Sequence, residues 1–165
     1  NVMKVFGFVI VGIALATFAL IIMSGVSFES LAIAFAWWFI INGILSAAGA
    51  IVARGHPYSV ITAFSVAWLT SLNPMIAAGW FAGLTEAKYR KPTTHDFKEL
   101  VEIETTKDMM NNNLFRVVLV ASLANLGSMI GTFLGIHVML QVTGINPQIV
   151  VQNGISTLLT ALGLG

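Results

Sequence analysis

The sequence predicts an all-α fold, a polytopic helical membrane domain of four to six hydrophobic helices, with a re-entrant or kinked Asn-Pro segment and one cytoplasmic amphipathic helix. Three observations carry this. Of 165 residues, 57% are hydrophobic and 9% charged, whereas a water-soluble domain has roughly a quarter of its residues charged. Eleven of the fifteen acidic and basic side chains fall between Glu86 and Asp108, leaving Lys4, Glu29, Arg54 and Arg116 for the rest of the chain. The apolar stretches also have the right length, because about 20 residues rising ~1.5 Å each cross a hydrocarbon core of ~30 Å.

The elements follow in order across a single transmembrane domain, 1–165. Residues 2–23 are nearly unbroken apolar sequence and form a first span, ended by Ser24-Gly25. Ser27 is placed to cap the next helix, 28–53, with Glu29 in its first turn; Arg54-Gly55-His56-Pro57 closes it. The apolar run from Tyr58 to Ala87 is interrupted by Asn73-Pro74. Proline removes a backbone donor and disfavours helix at the preceding residue, which divides the run into helices 58–72 and 74–87. Each half is too short to span alone, so the run is either a re-entrant pair or one long kinked helix. The polar stretch 88–113 contains Thr93 and Asp96 in capping-box order before an amphipathic helix bearing Phe97, Leu100 and Val101. Thr105 and Asp108 repeat that pattern before a further span, 114–140, and Asn146-Pro147 opens a last helix, 147–164.

Short loops rich in Lys and Arg stay cytoplasmic. Arg54, then Lys88, Arg90 and Lys91, then Arg116 all lie inside on that rule, which puts loop 88–113 in the cytoplasm and favours the re-entrant reading. A formal charge of +1 gives no case for a nucleic-acid partner. With no cysteine, disulfides, thiolate metal sites and thiol nucleophiles are all excluded. His56, His95 and His137 share no metal-ligand spacing, and no HExxH, P-loop or GxSxG motif occurs. No catalytic residue, metal or cofactor is therefore expected in this chain. Because it opens at Asn1, it reads as a piece of a longer protein.

Candidate sites are of three kinds. Gly127, Gly131 and Gly135 recur at four-residue spacing, as do Gly79, Gly83 and Ala87. In lipid, small residues let helix backbones approach, so both triplets read as packing faces, within one chain or in a homo-oligomer. Asn42, Ser71, Asn73, Ser122, Asn125 and Thr132 are polar groups at membrane depth, where they need hydrogen-bond partners or a wet cavity. Glu86 precedes Arg90 by four residues, the favourable order for an interfacial ion pair. The breaks at Asn73-Pro74 and Asn146-Pro147 leave open a small transporter or channel, since paired broken helices hold ions in such proteins.

The run Leu69-Thr-Ser-Leu-Asn-Pro-Met-Ile-Ala-Ala-Gly-Trp-Phe-Ala-Gly-Leu-Thr-Glu-Ala-Lys-Tyr-Arg-Lys-Pro92 carries a resemblance. Asp96-Phe97 adds to it, as does the stretch from Arg116 through Ala124-Asn125-Leu126-Gly127-Ser128 to Gly131-Thr132-Phe133. Together they resemble the membrane-embedded C-terminal half of the TraB/PrgY (pheromone shutdown) family, over most of residues 54–135. The resemblance implies a soluble N-terminal domain upstream, related to Tiki-type metalloproteases, whose GxxH motif and glutamates carry the metal site. Gly55-His56 and Gly135-Ile136-His137 have the wrong spacing for that motif. What it implies for this chain is a membrane-anchoring, oligomerising domain of a multi-pass protein in a prokaryotic cell membrane. Its partners would be the lipid bilayer and the upstream domain, and its parent a metal-dependent membrane peptidase or peptide-pheromone inhibitor.

Overall fold

A computed structural model describes residues 21–71 and 76–164, together with Val9, Gly12, Ala16 and Ala19. Most of the expected first span, 2–23, lies outside the described residues, as do Asn73 and Pro74. Among the described residues all regular structure is helical. Seven helices have defined bounds: α1 (Phe28–Val52), α2 (Pro57–Thr70), α3 (Ala78–Arg90), α4 (Thr94–Glu102), α5 (Thr106–Asn111), α6 (Asn113–Thr143) and α7 (Pro147–Ala161). Two of these, α1 and α6, are long and apolar enough to cross a membrane, against the four to six hydrophobic helices expected. The others fall short because their ends are set by local signals. His56 caps α2 through a bond from the Tyr58 N–H to its ring, with Pro57 at the first helical position; Asn146 and Pro147 do the same for α7.

The two helices that flank Asn73-Pro74 do not continue one another as a single kinked helix. Thr62 on α2 meets Thr85 on α3 at 3.2 Å, while His56 and Tyr58, at the start of α2, stack on Tyr89, at the end of α3. Early residues of one helix touch late residues of the other, so the pair is an antiparallel hairpin. Its second arm starts at Ala78 rather than at residue 74, and ends at Lys91, held in the left-handed region at φ +50°. The polar stretch differs from expectation too. It holds two short helices, because Thr105 caps α5 and Asn112 then starts α6 by accepting from the Phe115 N–H at 3.0 Å.

Two compact units result, Trp38–Gly135 and a second made of Asn1–Trp37 with Ile136–Gly165. In the first, α1, α2, α3 and α6 alternate in direction. The side chain of Phe64 (α2) packs over Gly43 (α1), α3 lies on Ala121 of α6 through Gly79 and Gly83, and α6 lies on Leu45 and Asn42 of α1 through Gly127 and Gly131. The centre is small-residue packing: Ala50, Ala53, Ala63, Ala82, Val120 and Ala124 are buried together. The large apolar side chains face outward, including Ile61, Trp80, Leu84, Val118 and Phe133. In the second unit, Ser27 starts α1 by accepting from the Ser30 N–H at 3.2 Å, Gly144 ends α6 at φ +65°, and α7 is exposed along nearly its whole length.

Candidate functional site

The glycine contacts are close enough to test atom by atom. A Cβ on Gly79 would lie 1.9 Å from the Ala121 carbonyl oxygen, and one on Gly127 2.1 Å from that of Leu45. A Cβ on Gly131 would lie 2.9 Å from the Asn42 Cα and one on Gly83 2.9 Å from the Ala121 Cβ, whereas one on Gly135 would make ordinary contact, 3.5 Å, with Asn42 and Trp38. Ala87 is half-buried in a groove shared with Gly79, Gly83, Val117 and Ala121. Gly49, which the sequence reading did not single out, is among the most closely packed, since a Cβ there would lie 2.0 Å from the Leu123 carbonyl oxygen. Its signal was the row Asn42, Ser46, Gly49, Ala50, Ala53, small or polar at three- and four-residue steps along α1.

At one end of this contact lies a buried polar cluster. Asn42 is fully buried; its Oδ1 accepts from the hydroxyls of Ser71 at 2.8 Å and Thr132 at 3.3 Å, and its Nδ2 donates to the Trp38 carbonyl at 3.1 Å. Ser71 and Ser128 pair at 3.1 Å, and the Ser46 hydroxyl donates to the Ala124 carbonyl at 2.9 Å. The structure thus brings together Asn42, Ser71 and Thr132 of the expected polar residues and adds Ser128 and Ser46. It does not bring in Ser122, which is exposed, or Asn125, which lies beside Gly79. Asn73 is outside the described residues.

The other end of α1 is ionic. Glu86 is fully buried although it belongs to the last turns of α3. One carboxylate oxygen pairs with Arg90; the other accepts from the His56 backbone N–H at 2.6 Å, at the start of α2. A carboxylate at a helix N-terminus meets its free N–H groups and positive dipole end, which is why this acid tolerates burial. The Arg54 carbonyl, at the end of α1, accepts from Arg116 and, at 3.5 Å, from Arg90. Arg116 also donates to the Met110 carbonyl at 3.2 Å.

From here the chain leads into α4, whose capping box is closed: Asp96 accepts from the Thr93 N–H at 2.6 Å and hydroxyl at 2.7 Å. Those donors hold the Asp96 carboxyl below the usual carboxylate range, the Thr93 hydroxyl contributing most. Asn112 ties α4 to the start of α6 through its Nδ2, 2.8 Å from the Asp96 carbonyl. Phe97 and Val101 stay exposed. Among the described residues no three His, Asp or Glu side chains converge into a metal-binding group.

An all-helical domain with a small-residue interior, an apolar exterior and charged groups gathered at one end is the class that this geometry defines. The chain matches the C-terminal domain of TraB family proteins over residues 2–145 and belongs to that family. It is 46% identical over 98 residues to an uncharacterized protein of Methanocaldococcus jannaschii, an alignment covering 58% of this chain and 25% of that protein. The chain thus matches about a quarter of the relative's length. No solved structure matches it.

Proposed function

We propose that this chain is the bilayer-embedded anchor of a longer TraB-family protein: it holds and positions a domain encoded elsewhere in the protein, in a multi-pass arrangement with residues 88–113 at the cytoplasmic face. The observation that carries the reading is the inverted surface, with alanine and glycine at the helix contacts and Trp80, Leu84 and Phe133 facing out. In water such a surface is a liability; in lipid, where apolar exteriors cost nothing, close backbone approach is what holds helices together. Any peptidase or pheromone-inhibiting activity belongs, on this reading, to the rest of the parent protein, and self-association through an outer face adds to the anchor role.

The Asn42 cluster raises one competing reading, a solute or ion path beside the end of α2, and its own bonding argues against it. Its hydroxyls and amide satisfy one another, as a dry contact requires. One experiment separates the two, since the chain has no native cysteine. In sealed vesicles of known orientation, Lys91→Cys is expected to react with a membrane-impermeant thiol reagent from the cytoplasmic side only, and Ser71→Cys weakly from either side. Labelling of Lys91→Cys from outside overturns the topology. Strong labelling of Ser71→Cys, with protection by an ion or solute, replaces the anchor by a transporter.

A further inference from the structure

At the ionic end, positive charge exceeds what the protein supplies to balance it. The Arg54 carbonyl takes hydrogen bonds from Arg90 and Arg116, so two guanidiniums meet at one atom, on a residue that carries a third, exposed guanidinium of its own. Among the described residues Glu86 is the one carboxylate that forms a salt bridge, and it is already engaged by Arg90 and the His56 N–H. The C-terminal end of α1 adds about half a negative charge. Three guanidiniums against these leave roughly one and a half positive charges without a partner.

The donors are also unspent. A guanidinium carries five N–H groups in a fixed fork. The Arg116 Nε is buried with no acceptor, and Arg54, whose side chain is exposed, has no carboxylate partner among the described residues. Accessible guanidinium donors in a fixed fork, here those of Arg54 and Arg90, with excess charge beside them, are the arrangement that recognises a tetrahedral oxyanion.

We infer that Arg54, Arg90 and Arg116 form a receptor for a phosphate group, which supplies the missing negative charge and accepts the unused N–H donors. The exposed rings of Tyr58 and Tyr89 stack with His56 at the same end, where interfacial aromatics sit at headgroup level. A lipid phosphomonoester is therefore one source, and it rests on the membrane reading above; free phosphate is the other and does not.

The test uses the whole chain in maltoside micelles, which contain no phosphate, and follows the thermal midpoint during two titrations. Phosphatidic acid is compared with diacylglycerol, and inorganic phosphate with chloride at matched ionic strength. A saturable rise of the midpoint with a phosphate probe and not with its control is expected. Arg54→Gln, which removes an exposed side chain, is expected to weaken the apparent affinity about tenfold, the equivalent of one charge-assisted hydrogen bond. Arg116→Gln is expected to abolish the response, and Arg54→Gln keeps the test valid if that variant does not fold. A response to phosphatidic acid alone identifies the headgroup as the source; a response to inorganic phosphate establishes the site independently of any bilayer. The inference is overturned if neither probe exceeds its control, or if Arg54→Gln responds like the wild type.

Discussion

At Gly79, Gly49 and Gly127 the facing atom is a backbone carbonyl oxygen, which cannot turn aside as a flexible side chain would. A methyl group there has to push two helices apart. Gly79→Ala and Gly127→Ala are therefore expected to destabilise the chain by about 1–3 kcal/mol, the usual cost of overpacking, even though alanine is the better helix former. Gly135 is the internal control: its added Cβ would make ordinary contacts at 3.5 Å, so Gly135→Ala is expected to be neutral or to stabilise by up to about 1 kcal/mol. Thermal midpoints of the three variants in one detergent check this, and equal effects at Gly127 and Gly135 would remove the close-contact account. The four-residue glycine spacing on α3 and α6 is visible in the sequence; which carbonyl each glycine meets is not, because that depends on the partner helix. The polar residues show the same limit. Ser128 precedes Thr132 by one turn and shares its face, whereas Ser122, ten residues earlier, is turned about 80° away and ends up exposed.

Among the elements, α4 has its start closed by a carboxyl whose pKa is held down. Asp96 accepts from both the N–H and the hydroxyl of Thr93, and its carboxyl is held below its ordinary value of 3.8. A carboxyl whose folded pKa is depressed stabilises the fold fully above the unfolded value and loses that contribution as pH falls through the folded one. Protection of the α4 amides from hydrogen exchange, corrected for intrinsic rate, is therefore expected to hold from neutral pH down to about pH 4 and to decline below it. In Thr93→Val, which keeps the backbone donor and loses the hydroxyl, protection at neutral pH should be lower and the acid decline smaller, starting at the same pH and ending at a higher one. An unchanged profile in that variant would show that the hydroxyl does not set the carboxyl. The capping box is legible because its two partners are three residues apart. The hairpin of α2 and α3 is legible only as one of two alternatives, since proline marks a break but not the direction in which the chain leaves it. The separate helix α5 escaped notice because Asn112, which starts α6, lies in a polar run with no apolar period to interrupt.

For the whole molecule, composition was enough to predict an all-helical chain, while the number of helices long enough to cross a membrane depended on where each cap falls. What surrounds the molecule is then a question about its outer face, and the tryptophans report on it. Trp80 on α3 is 60% exposed and shares that face with Leu84, whereas Trp38 and Trp68 are partly buried and joined by a bond from the Trp38 indole N–H to the Trp68 carbonyl at 3.3 Å. If lipid covers the outer face, bromine atoms on the acyl chains approach the Trp80 ring directly and reach the Trp38–Trp68 pair only past other side chains. In bilayers of brominated phosphatidylcholine, intrinsic fluorescence is therefore expected to be quenched, and Trp80→Phe should remove a larger share of the quenching than Trp68→Phe. Moving the bromines from mid-chain towards the glycerol should change the Trp80 response and so report its depth. Equal quenching in wild type and Trp80→Phe, at every bromine position, would mean that something other than acyl chain covers α3, and the anchor would then have to be argued from protein contacts instead.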